Sequence, residues 1–185
     1  PRKKTVLYAP TFRDTQKVGK RFTFDIPLQL EMMSEKLLGT HELVVRLHPI
    51  IRKRTRLPAG VRDGGGQVDM ADLLCATDVL ITDYSSVMFD FANTERPMIF
   101  FAPDLEEYSG ARGFYLDYET QVPGPILTTT GEVVDALENP EELAAYASRR
   151  AEFRERFCPL DDGQAARRVV DYLEQLQLLS PQRPT

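Results

Sequence analysis

The chain lacks the features that mark several common protein classes. No apolar run approaches the ~18 residues of a membrane-spanning helix, and no signal peptide opens the sequence. Basic residues are not in excess: the net charge of −5 argues against a dedicated nucleic-acid binder. Only two cysteines occur, Cys75 and Cys158, with neither metal-ligand nor CxxC spacing, a usage typical of a reduced cytosolic protein. There is no internal repeat and no low-complexity tract. Pro1 stands where an initiating Met would, so the chain is expected to be cut from something longer.

What is present suits one domain of ordinary size. The 185 residues, 42% hydrophobic and 28% charged, can bury a real core and remain soluble. Short apolar runs, KTVLYA (4–9), ELVVRLHP (42–49), VLIT (79–82), PMIFF (97–101) and PILTT (125–129), read as strands. Between them, helices are expected at about 27–38, from Asp69 as N-cap, from Ser85 to Asn93, and at 130–138, 140–156 and 162–179. LEEY reads as a helical turn, and 109–124 as an ordered loop with aromatic anchors. The last helix carries Ala166, Val169, Val170, Leu173 and Leu176 on one face, and residues 180–185 read as a frayed tail. Strands alternating with helices imply a parallel sheet covered on both sides, hence a doubly wound, Rossmann-like α/β domain over 1–185.

In such a sheet, ligands bind beyond the carboxyl ends of the strands, near the point where strand order reverses. Three stretches fall at that edge. In LITDYSSVMFDFA (80–92), Ser85 or Ser86 can cap the following helix, whose first amides attract phosphate. Asp90, four residues after Ser86 on the same face, can accept from a ligand hydroxyl or orient a serine. The plain alternative is that Asp83, Ser85 and Ser86 merely cap a helix.

In VVRLHPIIRKR, His48 sits at a strand end and can donate to a phosphate oxygen or protonate a leaving group. Arg46, two residues earlier, shares its face. The alternative is a structural histidine. The run Arg52, Lys53, Arg54, Arg56 reads as a solvated face, with contact to an anionic lipid or polymer as the other option; His41 reads as surface. In YAPTFRD (8–14), Pro10 and Thr11 end the first strand and Arg13 begins a loop able to fold over a ligand, or this is an ordinary strand exit.

The blocks KKTVLYAPTFRD, VVRLHP, LLCATDVLITDYSSVMFDFANTERPMIFFAPDLEEY, RGFYLDYE and PGPI, in order from Lys3 to Ile126, resemble the CDP-glycerol glycerophosphotransferase family of teichoic-acid synthesis. The resemblance implies the carboxyl-terminal, donor-binding lobe of a two-lobed GT-B transferase. It implies that Arg46 and His48 face the donor pyrophosphate, Ser85 and Ser86 bind its phosphates, Asp90 holds the glycerol or a serine, and Pro10 and Thr11 line the nucleotide side. The implied reaction moves glycerol phosphate from CDP-glycerol, or ribitol phosphate from CDP-ribitol, to a polyol-phosphate or lipid-linked acceptor and releases CMP. No metal or other cofactor is implied. An amino-terminal lobe is expected to supply a second catalytic histidine, leaving the fragment inactive by itself. The implied location is cytoplasmic, peripheral at the inner face of the plasma membrane. A nucleotide-sugar glycosyltransferase lobe and a non-catalytic nucleotide-binding module are the alternatives. Against the first, no Glu-rich motif follows a Gly-rich turn; against the second, YAPT carries no acid cluster.

Overall fold

The computed structural model describes residues 2–11, 17–18, 21–22, 26–53, 55–66, 68–176 and 178. Its first strand, β1 (Lys4–Ala9), is followed by a small antiparallel pair, β2 (Lys17–Val18) and β3 (Arg21–Phe22), and by helix α1 (Leu30–Leu37). Then come β4 (His41–Val45), the short α2 (Pro49–Arg52), β5 (Val61–Asp63), α3 (Met70–Ala76), β6 (Val79–Thr82), α4 (Val87–Ala92) and β7 (Met98–Phe101). The remainder is α5 (Leu105–Arg112), α6 (Tyr118–Gln121), β8 (Ile126–Leu127), α7 (Thr130–Glu138), α8 (Pro140–Ala144), α9 (Ala147–Phe157) and α10 (Ala165–Gln175). The expected tail at 180–185 lies outside the described residues.

Six strands pair in the order β5-β4-β1-β6-β7-β8, all parallel. The chain builds outward from β1 to β5, returns to lay β6 beside β1, and builds outward again. The switch point therefore lies between β1 and β6, where Val6 to Ala9 align with Val79 to Thr82. The strands are apolar on both faces because both are covered. Val6, Tyr8, Val45, Ile81 and Ile99 pack with α1 and α7 through Met33, Leu37, Val133 and Leu137. Leu7, Ala9, Val44, Leu80 and Phe100 pack on the other side with Leu74, Met88, Phe91 and Phe153. This is the doubly wound architecture that the strand–helix alternation predicts.

Local chemistry explains several boundaries. Asp69 caps α3 through its side chain, which accepts from the Ala71 amide at 2.8 Å. Thr129 and Glu132 form a reciprocal capping box at the start of α7. In the PGPI block, a Cβ on Gly124 would lie 2.0 Å from the Met98 carbonyl oxygen, so only glycine lets β8 approach β7. Likewise, a Cβ on Gly64 would lie 2.8 Å from a Val44 methyl, which accounts for one glycine of RDGGG.

Three expectations need correction. The strand expected over 42–49 ends at Val45, because Pro49 opens α2 and the Ile51 and Arg52 amides fold back on the His48 carbonyl. The helix expected at 140–156 is two helices, broken between Ala144 and Ala147. The loop expected at 109–124 contains the end of α5 and all of α6. On the apolar face of α10, Leu173 is half-buried, while Val169 is 57% exposed and Leu176 48%.

Candidate functional site

The carboxyl edge at the switch point is held by one buried carboxylate. Asp83, 2% exposed, follows β6 directly and accepts from the Thr11 amide at 2.8 Å and the Thr11 hydroxyl at 2.6 Å. Beside it, the Thr82 hydroxyl donates to the Ala9 carbonyl at 2.8 Å. The exits of β1 and β6 are thus tied to each other by side chains as well as by the strand ladder. Thr11 and Pro10, both half-buried, are placed at the crevice where ligands bind in this architecture. Arg13 lies outside the described residues.

Ser85 and Ser86 come next. The Ser85 hydroxyl accepts from the Val87 amide at a long 3.3 Å, whereas Ser86 is the N-cap residue of α4 and makes no side-chain capping bond. Capping therefore accounts for Ser85 in part and for the exposed Ser86 hydroxyl not at all. Asp90, one turn along α4, is exposed like Ser86, as the spacing predicts.

An aromatic stack fixes this turn from the β7 side. Tyr84 lies face to face with Tyr108 at 3.9 Å between ring centroids, and Phe114 stacks on Tyr118 at 4.8 Å. The Tyr84 hydroxyl donates to Asp104 at 2.9 Å, and the Tyr118 hydroxyl to the Asp83 carbonyl at 3.0 Å. The blocks TDYSS, LEEY and RGFYLDYE, separate in sequence, are therefore one structural unit. Phe114 and Tyr118 are the aromatic anchors the sequence suggests; Tyr115 between them is fully exposed. A depression of about 520 Å³ lined by Leu105, Ser109, Phe114 and Tyr118 flanks the stack.

Arg46 and His48 leave the same edge from β4, but past the end of the strand, so strand alternation does not set their directions. The Arg46 amide donates to the Tyr8 carbonyl at 2.9 Å. Its guanidinium donates to the carbonyls of Gly64 and, at 3.0 Å, Val68, anchoring the loop after β5. His48 is exposed and precedes α2, its carbonyl accepting from Ile51 and Arg52. Arg52, read from sequence as part of a solvated face, instead pairs with Asp63 at 2.7 Å and supports the RDGGG turn. Lys53 and Arg56 are exposed, and Arg54 lies outside the described residues.

Sequence reasoning missed Asp83 as the clamp and Tyr84 and Tyr118 as its supports. The available signal was an acid placed directly after the strand VLIT, at the edge where ligands bind in this architecture. Among the described residues, no group of three or more His, Cys, Asp or Glu is placed to hold a metal ion. No described helix is long and apolar enough to cross a membrane.

Residues 1–175 match the family described as CDP-Glycerol:Poly(glycerophosphate) glycerophosphotransferase. The chain belongs to that family. A teichoic acid glycerol-phosphate transferase of Staphylococcus aureus is 38% identical over 171 residues, covering 90% of this chain and 44% of that protein. A teichoic acid ribitol-phosphate primase of Bacillus spizizenii is 35% identical over 175 residues, covering 92% and 44%. The solved wall teichoic acid polymerase TagF superposes with a TM-score of 0.85 at 33% identity, over 96% of this chain and 45% of TagF. A TagF variant soaked with CDPG superposes at 0.84 and 34% identity, over 96% and 45%. The α/β fold expected from the family resemblance is therefore that of a GT-B-like transferase half. This glycerophosphotransferase-family chain spans less than half the length of each of these relatives.

Proposed function

We propose that this chain is the donor-binding half of a glycerophosphotransferase that uses CDP-glycerol to extend or prime a teichoic-acid-like polymer. The observation that carries the reading is the convergence, at the switch point of a family member, of the APT, RLHP and TDYSS segments on one sheet edge. Family membership supplies the reaction class, and the edge supplies groups of the right chemistry to perform it.

In this reading, glycerol phosphate passes from CDP-glycerol to an acceptor hydroxyl by in-line attack at phosphorus, and CMP leaves. Such a transfer depends on positioning and on stabilising charge at the phosphoryl oxygens. The Ser85 and Ser86 hydroxyls donate to those oxygens. Asp90 accepts from a glycerol hydroxyl, away from the phosphates that would repel it. His48 donates a proton or hydrogen bond to the departing CMP phosphate. Arg46 keeps the Gly64–Val68 loop in place while presenting positive charge on the pyrophosphate side, with Arg13 expected over the ligand. Pro10 and Thr11, held by Asp83, form the nucleotide side. An amino-terminal lobe supplies the acceptor, polyol-phosphate or lipid-linked, and the second histidine. The whole protein works on the cytoplasmic face of the membrane, with 1–185 as one domain of it.

CDP-ribitol is the second reading, favoured by the ribitol-phosphate primase at 35% identity. A melting panel separates the two. A ligand that binds only the folded state raises the melting temperature with its concentration. CDP-glycerol is expected to raise it most, CDP-ribitol less and UDP-sugars not at all. With acceptor added, the chain alone is expected to release no CMP in the steady state. Stabilisation by UDP-sugars without stabilisation by CDP-glycerol would overturn the reading.

A further inference from the structure

The opposite, amino edge of the sheet holds a second cavity with its own chemistry, of about 490 Å³, walled by Arg2, Lys3, Lys4, Thr40, His41 and Glu138 among others. Here β1 and β4 begin side by side, Lys4 aligned with His41, and α7 ends above them at Glu138. His41, expected at the surface, is only 8% exposed, because the first residue of β4 turns under α7. Its Nδ1 lies 2.8 Å from the Thr40 hydroxyl, while its Nε2 has no hydrogen-bond partner.

The Thr40 hydroxyl engages only one of the two ring nitrogens. Thr40 has one proton to give and two acceptors in range, His41 Nδ1 at 2.8 Å and the Leu37 carbonyl at 3.4 Å. The hydroxyl can give its proton to Nδ1, or give it to the Leu37 carbonyl and accept from Nδ1–H; in both arrangements Nε2 is left without a partner. A buried polar nitrogen without a partner is rare in folded proteins and asks for one.

The charges around the ring say what that partner is. Arg2 is neutralised by Asp78 at 2.9 Å, and Lys3 donates to the Leu38 carbonyl. Lys4 acts on His41 directly: with burial as the larger cause, its charge holds the imidazole pKa below the ordinary 6.5, while Glu138 and Asp78 oppose the shift. A lysine ammonium beside an unpartnered imidazole nitrogen suits an oxyanion. Glu138, in the same wall, suits a hydroxyl donor. One ligand class offers both: a phosphate ester that keeps free hydroxyls.

We propose that the amino-edge cavity binds a phosphorylated polyol, its phosphate between His41 Nε2 and Lys4 and a hydroxyl on Glu138. The site is at the far end of the strands from Ser85 and His48, and it stands whether or not the donor reading above is right. Two sources share this chemistry: a free polyol phosphate, which is a monoester, and a repeat of a polyol-phosphate chain, which is a diester.

The chain has only two histidines, so both imidazoles can be followed by nitrogen-15 NMR. At constant ionic strength, sn-glycerol 3-phosphate is expected to move the His41 Nε2 resonance saturably in the millimolar range. A glycerophosphoglycerol diester that acts at lower concentration identifies the polymer as the source, and a monoester that acts alone identifies the free ester. Lys4→Ala, at an exposed position, should weaken the response about tenfold, as expected for a lost charge-assisted hydrogen bond. Ser85→Ala with Ser86→Ala should leave it intact. The proposal is overturned if His41 does not respond to either ester, if chloride moves it as far, or if Lys4→Ala responds like wild type. An equal response to inorganic phosphate would overturn the polyol assignment.

Discussion

At the carboxyl end of the sheet the buried Asp83 carboxylate is met by the Thr11 amide and hydroxyl; at the amino end the buried His41 ring has Thr40 on one nitrogen and no partner on the other. Both groups are polar, both lie under a helix-covered sheet, and both sit where two neighbouring strands meet. The carboxyl end has spent its buried polar group on fixing the backbone, so in the proposed reading a ligand meets the side chains around that group. The amino end leaves its buried group unsatisfied, so any ligand there must reach that group itself. Catalytic positioning needs the first arrangement, since a reacting phosphate tolerates little misplacement. A simple binding site can use the second.

The largest expected difference concerns chemistry at the carboxyl end. In a two-lobed protein of the kind proposed, with this chain as its donor half, His48→Ala should lower turnover at saturating CDP-glycerol by roughly 10²–10⁴-fold, the span for a positioned acid or base. Melting temperature should change far less than turnover, since His48 is exposed. His48→Asn, which can donate but not change charge, should fall between. Near-normal turnover in folded His48→Ala protein removes His48 from the mechanism.

Next in size is the clamp. Asp83→Ala strips Thr11 of its acceptor in a buried place and should cost about 2–4 kcal/mol of stability in urea unfolding. A loss within the noise of surface substitutions would mean that Asp83 does not hold the edge together. Tyr118→Phe removes only the hydroxyl that supports Asp83 and should cost about 0.5–1.5 kcal/mol, leaving the aromatic stack in place.

The smallest effect belongs to the amino end. The folded-state pKa of His41 lies below 6.5, chiefly through burial and then through Lys4. Between that value and 6.5 the unfolded chain binds more protons than the folded one, so stability falls as the pH drops below about 6.5 and is full above it. Melting temperatures taken from pH 7.5 down to 5.5 should fall more steeply for wild type than for His41→Gln. Parallel curves would contradict a buried, neutral His41.

Much of this was legible because strands and helices announce themselves by period. The runs 4–9 and 79–82 became β1 and β6 at the expected places, and Asp69 capped α3 as its residue type and position suggest. His41 and Arg52 were misread for one reason: residue type favours the surface for both, and only tertiary structure brought α7 over one and Asp63 beside the other. Helix α10 shows the converse. Its apolar stripe was read correctly, yet Val169, Val170 and Leu176 remain exposed, because periodicity reports a face that needs burying and not what covers it. The Asp83 clamp joins residues 72 positions apart, a pairing that one sequence does not reveal.

The central claim is that CDP-glycerol binds at the carboxyl edge through the serines. Calorimetric titration of CDP-glycerol into the wild-type chain and into the Ser85→Ala, Ser86→Ala double variant, with melting curves for both, tests it most directly. The account predicts saturable binding to wild type and a loss of about 1.5–3 kcal/mol per serine bond in the variant, with little change in melting temperature. Equal affinity in a folded double variant, or no binding by wild type, would contradict it.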